Sequence, residues 1–391
     1  MTGELDVACE VVVLTPSGRG AVATVFVHGP SATALLAQCF VPTRKMRLSA
    51  VPIGRVLFGR WRVSADASED VVVCRRAECE WEVHCHGGRM PPASIVQSLV
   101  DGGARAVTPE NWLTRSSPDR LTAEAKIALW DARTECTAAI LLDQTRGALS
   151  QQVQKTIEWL RNGQWRAAEL ALTRLEQLSS LGMHLTQPWR IVVAGAPNVG
   201  KSCLTNQLLG YQRCIVIDEP GTTRDVLTAH TAFDGWPAEL RDTAGLRSAQ
   251  DPVESAGIAR AVKEIHAADL VLLVLDVTAG TDHKIRELCV AGPPTILVGN
   301  KVDLLVAGQS HPACDVLVSA TTGQGIPRLI ERIVQQWRVD PPLQPGESVP
   351  FQVRHVTAIK AARQLLATGA TAAAADLMSR LQEHTVPPTR H

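Results

Sequence analysis

The segment Gly195-Ala-Pro-Asn-Val-Gly-Lys-Ser202 constrains this chain more than any other. Two glycines separated by four residues and followed by Lys and Ser form the pattern of a phosphate-binding loop. The flanks agree with that reading. Arg190-Ile-Val-Val-Ala194 reads as a buried strand, and Cys203-Leu-Thr-Asn-Gln-Leu-Leu209 reads as the start of a helix. Backbone N–H groups at a helix N-terminus wrap phosphate oxygens, and glycines let the backbone come close. The expected phosphate contacts are Asn198, Val199, Gly200, Lys201, Ser202 and Cys203, with Lys201 reaching the β- and γ-phosphates and Ser202 holding Mg²⁺. The loop therefore predicts an α/β fold with a mostly parallel sheet.

Three further motifs follow in order. Asp242-Thr-Ala-Gly245 comes after a short strand-like run and offers a carboxylate to Mg²⁺ and the Gly245 N–H to the γ-phosphate. Asn300-Lys-Val-Asp303 ends the apolar run 294–298. Asp303 there can accept two hydrogen bonds from the guanine edge, and adenine has no matching pair of donors, so the expected nucleotides are GTP and GDP. Ser319-Ala-Thr321 ends the next strand, 315–318, where Ser319, Ala320 and Thr321 can close over a base beside Asn300 and Lys301. Open α/β sheets bind ligands at the C-terminal ends of their strands, where all four motifs fall. Together they predict a GTP hydrolase.

The rest of the chain surrounds this unit. A length of 391 residues predicts two or three domains. Lys plus Arg is 39 and Asp plus Glu is 39, so no net field draws the chain to nucleic acid or an acidic membrane. No apolar run spans a bilayer, and 270–275, the most apolar, reads as a central strand. The acidic start has no signal-peptide layout, and 10 cysteines without a paired framework predict reduced thiols in the cytoplasm.

Residues 1–118 read as an α/β domain, with strands at 11–14, 23–27, 70–73 and 79–85 and a helix at 31–40. Cys74, Cys79, His84, Cys85 and His86 lie close together in sequence and suggest a metal site. The alternation favours a half-buried strand instead, with Cys79, Trp81, Val83 and Cys85 on one face, and the spacing matches no common zinc pattern. Residues 119–188 read as helical over 121–146, 148–162 and 165–181, with Gly147, Gly163 and Gly182 near breaks. The GTPase domain is expected over 189–340. Residues 341–391 then begin with a Pro-rich linker and continue as one or two helices over 356–383, broken near Gly369. Helices on both sides of it predict one helical domain into which the GTPase domain is inserted.

These motifs resemble the tRNA-modification GTPase family (MnmE, also called TrmE). The resemblance is carried by the phosphate loop, by Pro220-Gly-Thr-Thr-Arg-Asp225, and by Asp242-Thr-Ala-Gly-Leu-Arg247 followed by Val253-Glu-Ser-Ala-Gly-Ile-Ala-Arg260. Fainter echoes are Pro16-Ser-Gly-Arg-Gly20, His86-Gly-Gly88 and Thr108-Pro-Glu-Asn-Trp-Leu-Thr-Arg115. The resemblance implies K⁺-stimulated hydrolysis through pairing of two GTPase domains in a homodimer. It also implies a flavin-dependent partner protein and tRNA as substrate. Residue by residue, it implies K⁺ bound by Asn198, Ile217, Glu219 and Thr222, and Mg²⁺ bound by Ser202, Thr223 and Asp242. Glu254 would orient the attacking water, because Leu246 stands where a glutamine could have done so. The alternative for Asn198 is a loop-capping role, and Glu254 could be a solvated residue at a helix start.

The resemblance further implies a formyl-tetrahydrofolate pocket in the N-terminal domain, with Glu82 and Arg120 as the matching residues. Four places depart from the family, one of them a later Asn-Gly-Lys loop that is shortened around 116–121. Phe26 stands where an Arg is expected, Arg76-Ala-Glu-Cys79 replaces a Thr-Gly-Glu-Asp segment, and the chain ends Val386-Pro-Pro-Thr-Arg-His391 with no Cys-Ile-Gly-Lys-type tail and a shortened last helical part. Loss of a charged anchor lowers affinity for a dianion. Two functions remain open on the sequence: an enzyme of tRNA wobble-uridine modification, and a GTPase switch or scaffold of the same architecture without that chemistry. A ribosome-assembly GTPase is disfavoured by the lack of a KH-like basic segment or a second GTPase domain.

Overall fold

A computed structural model describes residues 9–15, 20–44, 46–63, 67–211, 228–242, 262–279, 292–306 and 311–383. The chain divides into two compact units, one ending at Pro118 and the other beginning at Asp119.

The first unit is a seven-stranded sheet with helices. Its strands are β1 (Glu10–Val13), β2 (Val22–His28), β3 (Phe40–Pro42), β4 (Val56–Arg62), β5 (Ser68–Ala77), β6 (Glu80–His86) and β7 (Arg105–Ala106), in spatial order β3-β4-β5-β6-β2-β1-β7. All pairs are antiparallel except β1 with β7. Period-two alternation decides which face is buried. Trp81, Val83 and Cys85 of β6 point into a core shared with Val25, Val27, Val71, Val73 and Trp61. Helices α1 (Ala32–Cys39) and α2 (Met90–Asp101) supply Leu35, Leu36, Ile95 and Leu99 to that core. Its two tryptophans keep their polar ends satisfied: Trp61 donates to Ser98 Oγ at 2.8 Å and Trp81 to Thr33 Oγ1 at 3.0 Å. Helix α3 (Pro109–Ser116) starts at Thr108, whose hydroxyl accepts the Asn111 N–H. Its Trp112 packs on Phe26 and His28, with ring centroids 5.1 and 5.3 Å apart.

The residues grouped above as a metal alternative serve other ends. The Cys85 thiol lies against the Ala23 carbonyl, His84 Nδ1 meets Thr24 Oγ1 at 3.0 Å, and His86 Nδ1 meets Glu69.

The second unit combines helices with the nucleotide-type sheet. Helices α4 (Arg120–Leu129), α5 (Glu135–Thr145), α6 (Ala148–Arg161) and α7 (Trp165–Met183) precede the sheet in sequence. The expected single helix over 121–146 is two helices. The break at 130–134 is set by Thr134, whose hydroxyl accepts the Thr137 N–H while the Thr137 hydroxyl accepts the Thr134 N–H, a reciprocal cap that starts α5 afresh. Gly182 lies near a break as expected, since α7 ends one residue later at Met183. A β-carbon there would sit 1.8 Å from the Pro350 carbonyl oxygen.

The sheet has the order β13-β12-β11-β8-β10-β9, built from β8 (Trp189–Gly195), β9 (Thr228–Phe233), β10 (Trp236–Asp242), β11 (Leu270–Asp276), β12 (Thr295–Asn300) and β13 (Val316–Leu317). Every pair is parallel except β9 with β10. Parallel strands buried on both faces read as continuous apolar runs, and β11 does so. Its Leu270, Leu272 and Val274 join one core, and Val271, Leu273 and Leu275 join the other. Helices α8 (Lys201–Tyr211) and α9 (Ile326–Trp337) also belong to this domain. Helices α10 (Val353–Ala367) and α11 (Thr371–Gln382) follow and pack on α7, α6 and each other. The P-loop domain is thus inserted into a helical domain and preceded by an α/β domain. Among the described residues no helix is long and apolar enough to cross a membrane.

Candidate nucleotide-binding site

The phosphate loop joins β8 to α8, and its shape depends on residues without side chains. Gly195 has φ +150°, and a β-carbon there would meet the Val274 carbonyl oxygen at 2.4 Å. Gly200 has φ +93°, and a β-carbon would lie 2.3 Å from Asn300 Nδ2. Asn198 also takes a left-handed conformation, φ 62°, which Asn tolerates better than most residues, and its side chain is exposed. Val199 is buried beneath the loop. Lys201 opens α8 and is nearly buried, and its ammonium donates to the carbonyls of Gly195 at 3.0 Å and Ala196 at 2.8 Å. A cation held inside a curl of glycine-rich backbone at a helix N-terminus fits a phosphate chain.

One side chain locks this loop to the rest of the site. Asn300, which closes β12 and is 2% exposed, donates from Nδ2 to the Val199 carbonyl at 2.8 Å and accepts the Ala320 N–H on Oδ1 at 2.9 Å. Cys203 adds a thiol contact to the Ala320 carbonyl at 3.2 Å. Ser319 is fully buried, and its hydroxyl accepts the Thr322 N–H at 3.1 Å, while Thr321 is exposed. Residues a hundred positions apart in sequence are thus tied into one rim.

Lys301 follows Asn300 with φ 69° and leads into a short 3-10 turn, Val302–Leu304, that presents Asp303 exposed. The Lys301 ammonium pairs with Asp276 Oδ2 at 2.6 Å. Asp276 ends β11, and its other oxygen accepts the N–H and hydroxyl of Thr278 at 2.9 and 2.6 Å. Burial alone would raise the Asp276 carboxyl, but Lys301 and Thr278 outweigh it and hold it below the usual carboxylate range. The sequence reading passed over Asp276. Its signal was a lone carboxylate ending a buried apolar strand at the edge where the other motifs lie.

Asp242 ends β10 in register with Val193 of β8, beside the strand that feeds the loop, and Ser202 lies in the first turn of α8. Ile217, Glu219, Thr222, Thr223, Gly245 and Glu254 lie outside the described residues. Of the folate candidates, Glu82 sits on β6 with Arg76 and His84 each 3.4 Å away, and Arg120 starts α4 and pairs with Glu124 at 2.9 Å. Phe26, where an Arg was expected, is in register with Glu82 and packed against Trp112.

A parallel sheet with a glycine-rich phosphate loop, an Asn-Lys-x-Asp turn and a Ser-Ala-Thr loop at one edge defines a P-loop GTPase. Residues 190–301 match the family described as 50S ribosome-binding GTPase. Over nearly the whole chain the sequence is similar to proteins named tRNA modification GTPase MnmE. That of Moorella thermoacetica is 30% identical over 405 residues, covering 90% of this chain and 87% of the relative. A Synechococcus relative is 33% identical, covering 82% and 78%, and one from Roseiflexus is 32% identical, covering 81% and 79%. The chain belongs to the tRNA modification GTPase family, and it is a GTP hydrolase.

Proposed function

We propose that this GTPase is stimulated by K⁺ through dimerisation of its GTPase domains, and that its turnover serves modification of the tRNA wobble uridine with a flavin-dependent partner, in the cytoplasm. The observation that carries the nucleotide part is Asn300, which ties the phosphate loop to the Ser319–Thr321 loop, while the same phosphate loop holds the Lys201 ammonium. In this reading Val199, Gly200, Lys201, Ser202 and Cys203 hold the phosphates, and Asp303 accepts two hydrogen bonds from guanine. Ser202, Thr223 and Asp242 would hold Mg²⁺, and Asn198, Ile217, Glu219 and Thr222 would hold K⁺. Both cations supply positive charge where charge develops between the β- and γ-phosphates. Asn198 suits this role because its side chain is exposed at the outer bend of the loop. Glu254 orients the attacking water.

The test is GTP turnover in K⁺ against Na⁺, with Asn198→Ala alongside. The expected result is stimulation by K⁺ of about tenfold or more that the variant loses, since one charge-stabilising contact is commonly worth that much. Slow turnover with no cation preference would overturn the K⁺ part. For the tRNA part, deleting the gene in a cell with no second family member should lower wobble-uridine modification in total tRNA.

A second reading, a regulatory GTPase without the modification chemistry, is favoured by Phe26. An aromatic ring packed on Trp112 occupies a place where the family resemblance implies a cationic anchor for formyl-tetrahydrofolate. Calorimetric titration with that folate separates the two: binding in the micromolar range favours the modification enzyme, and none favours the switch.

A further inference from the structure

Asp276 lies outside every motif that identifies the site, yet its carboxylate is fully engaged. One oxygen takes the Lys301 ammonium at 2.6 Å, and the other takes both donors of Thr278. The backbone beneath is equally defined. Asp276 and Asn300 are register partners at the last position of β11 and β12, and Val277 N–H donates to the Asn300 carbonyl at 3.1 Å. Thr278 thus fixes the rotamer of Asp276, and Asp276 in turn fixes the end of the Lys301 side chain.

Lys301 needs such a hold. Its φ of 69° is left-handed, a conformation unfavourable for a residue with a long side chain and no local hydrogen bond to compensate. That conformation sets the direction in which the chain leaves Asn300, and two residues later it delivers Asp303 on an exposed turn. Strained backbone persists only where its surroundings over-determine it. On one side Asn300 is pinned by Val199 and Ala320; on the other, Lys301 is pinned by Asp276.

We propose that Asp276 is a positioning residue for guanine recognition: by anchoring Lys301 it holds the turn that presents Asp303 to the base. The proposal rests on the reading that guanine nucleotide binds at this edge, and it assigns Asp276 no contact with the phosphates. Removing it should therefore loosen base recognition and leave the phosphate chemistry largely alone. Asp276→Asn keeps an acceptor for Thr278 but turns an amide donor or a neutral oxygen toward the Lys301 ammonium. Asp276→Glu keeps the charge.

The test is a double-mutant cycle read by GDP affinity and steady-state GTP hydrolysis on the full chain. Asp276→Asn is expected to weaken GDP binding and raise KM by about tenfold while kcat falls less than twofold, the split expected when ground-state recognition is lost. The preference for GTP over ITP, which lacks the exocyclic amine, should narrow. In Lys301→Ala the further change at Asp276 should add less than twofold, because residues that act through one another are not additive. Asp276→Glu should recover most of the lost affinity. Equal affinity of wild type and Asp276→Asn, or additive effects in the cycle, would overturn the proposal. So would loss of kcat alone, which would place Asp276 in the hydrolytic machinery. A drop in unfolding midpoint matching the affinity loss, with ITP discrimination unchanged, would make Asp276 merely structural. If wild type binds no guanine nucleotide, the site reading itself fails and takes this proposal with it.

Discussion

At the scale of single residues, the site depends on positions where a side chain has no room or a polar group has no substitute. Gly200 combines both constraints: its φ is +93° and a β-carbon would strike Asn300 Nδ2. Gly200→Ala should therefore push Asn300 off the Val199 carbonyl and open the loop. GDP affinity is expected to fall at least tenfold, an estimate from one lost bond to a buried amide plus left-handed strain. Equilibrium titration with a fluorescent GDP would check it. Asn300→Ala removes both bridging hydrogen bonds and leaves the buried Val199 carbonyl and Ala320 N–H unpaired. A loss of about 2–4 kcal/mol of stability is expected from two unsatisfied buried groups, measurable as a shifted urea midpoint. Affinity unchanged in either variant would contradict the role given to the Asn300 clip.

At the scale of elements, close approach matters more than periodicity. At Gly182, one residue before α7 ends, the missing β-carbon lets the segment that enters α10 pass at contact distance, with the Pro350 carbonyl 1.8 Å from where a methyl would be. Helix propensity alone favours Ala over Gly by about 1 kcal/mol. The expected result is the reverse: Gly182→Ala should destabilise the protein by roughly 1–3 kcal/mol, the range for overpacking against backbone. Chemical denaturation followed by tryptophan fluorescence decides the sign. A stabilised variant would show that the two segments separate easily. A second contact of this kind joins the β9–β10 hairpin to α5, where a β-carbon on Gly235 would come within 2.9 Å of Cys136 Cβ.

At the scale of the whole molecule, residues on either side of the inserted GTPase domain meet in one polar cluster. Glu124 on α4 receives Arg354 and His355 from α10, 230 and 231 positions away. His355 is fully buried. Its Nδ1 accepts the Phe351 N–H at 3.3 Å, so its Nε2 carries the proton donated to Glu124 at 2.9 Å, and the imidazole is neutral. Burial alone would raise the Glu124 carboxyl, but His355 and Arg354 overcome it and bring it down to about 2 from an ordinary 4.5. A depressed carboxyl contributes stability that is whole above its unfolded value and disappears as pH falls through the folded one. The window is thus pH 4.5 down to 2, and the size is about 3 kcal/mol. His355, pushed below its ordinary value by burial, acts in the same direction, since the unfolded chain takes up a proton there first. Glu124→Gln should lower stability at pH 7 and flatten the acid limb of the stability curve. Parallel acid limbs in wild type and variant would show that the cluster carries no such linkage.

The sequence by itself determined the glycine-rich loop, the Asn-Lys-x-Asp turn and the strands that carry them. Those features are local: two glycines four residues apart before Lys-Ser, an Asn-Lys-x-Asp turn, and a doubly apolar strand each declare themselves within ten residues. Period-two alternation also identified the buried face of β6. Only the tertiary structure decided that Asn300 would clip Val199 to Ala320, that Asp276 would hold Lys301, and that Glu124 would meet Arg354. These pairs are 20 to more than 200 positions apart, and a lone Asp or Glu carries no mark of its partner. The one helix error has the same origin. Residues 130–134 look helical by composition, but the Thr134–Thr137 cap starts a new helix there. Periodicity reports which face is buried, while packing decides where an element ends and what lies against it.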